Sequence, residues 1–297
     1  MRYITCKNHD NNFELTFSEN QFSPFILASV DGIYQVKNKV TISENTMTDG
    51  GTYQGSNAEV RNIIIRLLEN PNPNKEFVYN QPHRDILYSL FQKGTNGTFT
   101  YYENDSARKI DYYCESVVRE INGKRPFIIS LLCPDPMFRD AMETVVAMAN
   151  WIAGFEFIHE FKAEGEELGY RSAERSINII NDKAAGNIGM KIIVEAKGEA
   201  SNITITRIES DEHLSIGSSA RPFIMQTGDK LIITTGTNDK HVKRIRNGIE
   251  TEVNQFVTED SEFIQIEYGN NNIVYSSDTG EDNLTITIHY SFYYEGA

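Results

Sequence analysis

In the stretch Pro126–Phe138, PFIISLLCPDPMF, an apolar run from Phe127 to Leu132 meets Cys133 and then Pro134-Asp135-Pro136. Proline donates no hydrogen bond to a β-ladder, so two prolines flanking Asp135 end a strand abruptly. The chain has to turn there, and its charge changes across the turn. Residues 1–136 hold 14 basic and 16 acidic side chains, a net of −2. Residues 137–297 hold 14 basic and 26 acidic ones, a net of −12. The stop, the charge change and the length together suggest two domains.

The acidic half would repel phosphates, which argues against nucleic-acid binding by it. The cysteines Cys6, Cys114 and Cys133 are odd in number and have no Cys-x-x-Cys spacing. They read as small buried hydrophobes in a reducing compartment, not as disulfides or a zinc site. The start, MRYITCKNHDNNF, has no apolar core of a signal peptide, and no run approaches a membrane span. Synthesis and folding in a cytoplasm, without membrane insertion, is the expectation.

Sixteen Phe and fifteen Tyr, with many Thr, Ile and Val, favour strands. Residues 2–6, 13–17 and Ile33–Ile42 alternate apolar and polar side chains. Ser43–Asn57 reads as a long polar loop holding Asp49-Gly50-Gly51 and Tyr53, and a loop of that length is often a contact element. Glu59–Leu68 reads as a strand, with a short helix as the alternative. Pro82–Lys93 is the clearest helix: Ile86, Leu87, Leu90 and Phe91 share a face, and Gly94 suits its end. Strands near 98–102, 108–119 and 126–133 follow. Asn96-Gly97, Asn122-Gly123 and Asn247-Gly248 are hairpin signals.

Residues 137–153 have helical spacing, so the local pattern opposes a strand; the strand reading favoured for them rests on a resemblance to a known family. Beyond Ile177 the pattern is β throughout. Candidate strands are Ile188–Glu195, Ser201–Glu209, Pro222–Met225, Lys230–Thr235, His241–Arg246, Phe263–Glu267, Asn272–Tyr275 and Leu284–Tyr294. The expected fold class is mainly β, with two β-sandwich domains and a helix packed on the first. The first half is also compatible with a β-barrel.

Motifs for chemistry are missing. His9, His83, His159, His213, His241 and His289 show no metal spacing, and there is no nucleophile elbow or phosphate-binding loop. His159 beside Glu156 and Glu160 imitates a metal cluster but reads as a solvated linker, as does the acidic run Glu164–Glu167. Asp49 is the best lone carboxylate, with turn formation as the simpler role. Lys243, Arg244 and Arg246 form a basic cluster that reads as an alternating strand face, with interface contact as the sharper alternative. No catalytic, cofactor-binding or metal-binding residue is assigned, and no enzyme activity is expected.

Several pieces, in order, resemble the siphophage distal tail protein (Dit) family. They are the early strands ending at Ile33-Tyr34, the Asp49–Tyr53 loop, Arg61-Asn62-Ile63, the helix Arg84–Phe91 and PFIISLLCPDPMF. Ala200–Ile208, Gly228–Thr234 and the aromatic end IHYSFYYEG follow. Two features depart from the family: Gly154–Glu174 is longer and more acidic, and the stretch before it looks helical. The resemblance implies an N-terminal ring-forming tail hub domain at 1–136, a linker region at 137–176 and a galectin-like C-terminal β-sandwich at 177–297. It implies a homohexameric ring in the virion tail of a phage or prophage. That ring would join the tail tube and tape-measure proteins to tail-tip or receptor-binding proteins. Alternatives are a carbohydrate-binding accessory protein and the hub of a phage-tail-like bacteriocin or injection particle. The only Trp, Trp151, lies in the linker region, which weakens the sugar-binding reading.

Overall fold

A computed structural model describes residues 2–44, 49–70, 82–120, 126–148, 151–153, 169–171, 175–182, 186–237 and 239–297. The chain divides into two units. Unit 1 is Met1–Ala141 with Tyr293–Ala297, and unit 2 is Met142–Phe292. These bounds differ from the sequence division at 136 and 176, because the linker region contributes strands to both units. Tyr293–Ala297 folds with unit 1, which chain continuity alone could not suggest.

Unit 1 contains β1 (Arg2–Asn8), β2 (Glu14–Ser18), β3 (Phe25–Asp31), β4 (Asn38–Glu44), β5 (Gly51–Ala58) and β6 (Arg61–Glu69). The helix α1 (His83–Leu90) comes next, then β7 (Asn96–Glu103), β8 (Ser106–Arg119), β9 (Phe127–Cys133) and β10 (Phe138–Asp140). Seven strands close a barrel in the order β8-β7-β1-β2-β3-β6-β9, with β9 returning to β8. An odd ring cannot alternate direction throughout, and its one parallel contact is Ser18 with Ile26, between β2 and β3. Closure depends on β8. Its first part, Ser106–Tyr113, pairs with β7, and Tyr113–Arg119 pairs with β9. A register shift between Cys114 and Ser116 marks a bulge, which bends a strand enough to serve two neighbours.

Unit 1 is therefore a closed barrel and not the expected sandwich. The two architectures share one alternating pattern, and the length and bend of β8 decide between them. Inward residues such as Ile4, Cys6, Ile63, Ile65, Phe99, Ile129 and Leu131 are fully buried. The helix packs on this core through Ile86, Leu87 and Leu90. It is shorter than expected, since Phe91 already leaves helical geometry and Gly94, at φ +79°, turns three residues later. Buried Asn8 fixes it: Nδ2 donates to the Leu90 carbonyl at 2.9 Å, while Oδ1 accepts from the Asp10 and Asn11 amides.

Unit 2 holds β11 (Thr144–Met148), β12 (Trp151–Ala153), β13 (Gly169–Arg171), β14 (Ser176–Asn181), β15 (Met190–Ala196), β16 (Ala200–Arg207) and β17 (Glu212–Ile216). The rest are β18 (Ile224–Met225), β19 (Lys230–Gly236), β20 (Asp239–Arg246), β21 (Ile249–Glu252), β22 (Gly269–Thr279) and β23 (Leu284–Tyr290). A six-stranded sheet, β11-β23-β15-β19-β20-β21, and a five-stranded sheet, β14-β22-β16-β17 with β18 also pairing β16, bury one core between them. Ile192, Ile233 and Ile288 come from the first sheet, and Ile203, Ile205 and Ile273 from the second. Unit 2 is thus built of β-sheets around its own core.

Other expectations divide. Within 137–153 the described residues form β10, β11 and β12 and no helix, and β11 buries Met148 and exposes Val145, the period of a strand. Ile33–Ile42 is not one strand; β3 ends at Asp31 and β4 begins at Asn38. Ser43–Glu44 and Gly51–Asn57 are not loop, because they belong to the paired strands β4 and β5; 45–48 lie outside the described residues. Phe263–Glu267 makes only an isolated bridge from Ile266 to Ile188. Leu284–Tyr294 splits into β23 and β24 (Tyr293–Tyr294), which pairs with β10 in unit 1. Asn247-Gly248 is the expected turn, with φ of 54° and 77° between β20 and β21. Asn96-Gly97 instead lies within β7, and Asn122-Gly123 lies outside the described residues.

Replacing Asn8 by Ala should cost about 1–3 kcal/mol, since a buried carbonyl and two amides lose their partner together. Urea unfolding should show a lower midpoint at unchanged slope. An unmoved midpoint would mean that the turn satisfies itself.

Candidate functional site

A chain without catalytic motifs has to be read by its surfaces, and one surface stands out. Among the described residues, strands β4 and β5 pair only with each other, apart from the barrel sheet. Asn8-like burial is missing from this ribbon: every residue of β4 and β5 is exposed except half-buried Gly55. Alternation gives it two faces. Val40 and Ile42 share one face, opposite Ser56 and Tyr53. Their exposures are 53% for Val40, 59% for Ile42 and 63% for Tyr53. The Tyr53 hydroxyl bonds Ser56 Oγ at 3.0 Å, which holds the ring along the ribbon. Ser43, Gln54 and the Thr52 carbonyl share hydrogen bonds, and a Lys37–Glu59 ion pair at 3.2 Å closes the base. A two-stranded ribbon is marginal alone in water, and an exposed apolar face with free edges is a template for a partner. Sequence reasoning singled out the segment as a loop and missed its β structure.

A second constellation surrounds Arg61, at the start of β6. The residue is 5% exposed. Its Nε donates to the Pro136 carbonyl at 2.7 Å, and Nη1 donates to the carbonyls of Gly32 at 2.6 Å and Tyr34 at 2.7 Å. Nη2 donates to the Glu295 carbonyl, and the guanidinium lies over the Phe138 ring at 4.9 Å. Burial lowers the Arg61 pKa from its ordinary value. A guanidinium nevertheless stays charged in proteins, so carbonyl dipoles have to replace its water. Arg61 appeared in the sequence only as the opening of a strand, with no pattern to predict its partners.

The residues singled out for chemistry are scattered. Asp49 is exposed and precedes Gly50, at φ +95°, as a turn former should. His159, Glu156, Glu160 and Glu164–Glu167 lie outside the described residues. Among the described residues no group of three His, Cys, Asp or Glu could hold a metal. The three thiols are buried in the barrel, where burial pushes Cys114 up to about 11 and Cys133 up to about 12. Thiolate chemistry is suppressed there. The basic cluster is a paired strand face: Lys243 meets Glu250 at 2.7 Å, Arg244 lies over Phe223, and Arg246 grips Asp229 with two nitrogens. Unit 2 also carries an open polar cleft of about 560 Å3, with Thr204, Ser215, Arg221, Asp260 and Asp278 in its lining.

No family model matches the sequence, and no curated protein matches it. Solved structures do. The SPP1 Dit protein is described as a paradigm of the hub adsorption apparatus in phages infecting Gram-positive bacteria. It matches over 98% of this chain and 99% of its own, at TM-score 0.64 and 11% identity. A chain of the phage P2 baseplate, in its activated conformation with Ca, matches over 100% of both chains at TM-score 0.55 and 11% identity. The same baseplate with Sr gives 0.52. These likenesses establish a common fold along the whole chain.

Arg61→Met should cost about 3 kcal/mol or more, because several buried carbonyls lose their donor together. Arg61→Lys should rescue little of it, since one ammonium cannot reproduce the guanidinium fork. Thermal melting of the three proteins checks both statements. Asp229 supplies a pH test. Burial opposes its charge, but bonds from Arg246 and the Gln226 amide outweigh burial and lower its pKa. Its contribution is thus present above the unfolded carboxylate's pKa, near 3.9, and lost as pH falls through the lower folded value. Asp229→Asn should therefore flatten the acid limb of a stability–pH curve below about pH 4.

Proposed function

We propose, from a fold shared along the whole chain, that the protein is a distal tail protein of a bacteriophage or prophage tail. The whole-length match to the SPP1 Dit protein carries this reading. In it, unit 1 forms a homohexameric ring hub in the virion tail. The ring joins the tail tube and tape-measure proteins to tail-tip or receptor-binding proteins. Unit 2, with a galectin-like layout, projects outward. That layout does not assign a sugar ligand, because function resides in sites and not in folds. The role is structural, without catalysis or a cofactor. The ring-forming part is the domain read at 1–136, extended by 137–141 and 293–297; 177–292 belongs to the outer domain.

The ribbon β4–β5 supports a ring. Closed rings repeat one head-to-tail contact until they meet. An amphipathic ribbon standing off the barrel suits such a contact with the next copy. Burying Val40, Ile42 and Tyr53 there would contribute about 1.5–3 kcal/mol per side chain. The small net charge of residues 1–136 also keeps repulsion between copies low.

Light scattering and negative-stain imaging of the full chain, over a concentration series and with tail-tube protein added, test the proposal. Rings of six copies are expected. Ile42→Glu with Tyr53→Ser should abolish them at unchanged melting temperature, because both positions are exposed in the single chain. A chain that stays monomeric in every condition would overturn the ring, as would rings indifferent to the double substitution.

A further inference from the structure

Residues 293–297, Tyr-Tyr-Glu-Gly-Ala, are held in unit 1 as a peptide is held in a groove. Strand β24 extends the barrel sheet by pairing Tyr294 with Phe138 and Tyr293 with Arg139 of β10. Arg108 clasps the segment twice. Its guanidinium lies 3.8 Å from the centre of the Tyr294 ring, and Nη1 donates to the Gly296 carbonyl at 2.5 Å. Arg61 donates to the Glu295 carbonyl, and Gln35 Nε2 donates to Glu295 Oε2 at 3.1 Å. The Ala297 amide donates to the Ile33 carbonyl at 2.8 Å.

The contacts select a sequence as well as a backbone. A cation over an aromatic face asks for Tyr or a similar ring at 294. A Cβ at position 296 would lie 3.1 Å from the Tyr34 carbonyl carbon, so the close approach favours glycine. Strand addition with pockets for particular side chains is a known mode of peptide recognition.

We infer that unit 1 carries a peptide-acceptor groove, built from β10, Arg61, Arg108 and Gln35, whose ligand is this chain's own segment 293–297. The groove is a binding site in its own right, normally filled in cis. The barrel is made from residues up to 141, yet its sheet and the Arg61 shell are complete only once residues beyond 292 arrive. One consequence rests on the ring proposed above: chains still being synthesised lack a finished unit 1 and are kept out of the ring.

The test compares the full chain with a chain ending at Phe292. A fluorescein-labelled Tyr-Tyr-Glu-Gly-Ala peptide should bind the shortened chain saturably and should not bind the full chain, whose groove is filled. Changing the peptide's second Tyr to Ala should weaken binding at least tenfold. Amide exchange at Phe138–Asp140 should be at least tenfold faster in the shortened chain and should slow when peptide is added. Unchanged exchange, or equal peptide uptake by both chains, overturns the groove. If the shortened chain does not fold, the full-length Arg108→Ala, Tyr294→Ala variant carries the test. Its exchange at Phe138 and Arg139 should quicken about tenfold, and no change there overturns the inference. Rings that return to the shortened chain on adding peptide would support the assembly consequence. Peptide uptake without rings from either chain would count against the ring and uphold the groove.

Discussion

One buried guanidinium links four distant pieces of the first unit. Arg61 begins β6, and its donors reach the carbonyls of Gly32, Tyr34, Pro136 and Glu295. Taking a charge out of water is costly unless its hydrogen bonds are replaced. That cost makes the arrangement specific. The loop after β3, the turn after β9 and the returning segment all have to bring a carbonyl to one point. None of them could shift by a turn or a register step without leaving a donor unsatisfied. Unit 2 satisfies its own buried arginine differently: Arg207, 2% exposed, meets Glu212 at 2.9 Å and Glu267 at 3.1 Å.

The Pro134-Asp135-Pro136 stop gains a second meaning beside Arg61. Prolines end β9, which any reader of the sequence expects. They also free the Pro136 carbonyl, because a chain that has left the ladder can offer its oxygen elsewhere. Breaking a strand and building a cation's shell are here one event. The barrel shows the same economy, since β8 reaches two partners through a single bulge. The ribbon β4–β5 is the exception to self-sufficiency. Its apolar face has no cover within the described residues of its own chain, and a partner is the simplest way to satisfy it.

The sequence was legible where burial is periodic. β6, β9, β15, β19 and most of β23 alternate strictly between core and surface, so their type and approximate bounds could be read in advance. The helix was legible because four apolar residues repeat at its period. Reading failed where both faces of a strand are exposed. In β5 no core enforces a pattern, and polar residues with glycines looked like a loop, while the alternation read over Ile33–Ile42 ran β4 together with the segment before it. It failed again at Leu284–Tyr294, where apolar content continues across a point at which the chain changes units.

Alternation of apolar and polar residues, turn-forming glycines and the apolar period of 86–91 determined that this chain is mainly β and carries a helix after β6. Those properties are local, decided by each residue's neighbours and by which faces can be buried. Only the tertiary structure decided that the first unit closes into a seven-stranded barrel, that 51–57 pairs with β4 as a ribbon, and that 293–297 returns to complete the first unit. Each of these depends on hydrogen bonds between residues far apart in sequence. Backbone donors and acceptors are alike at every position, so the pairing of distant strands leaves no mark in the one-dimensional pattern.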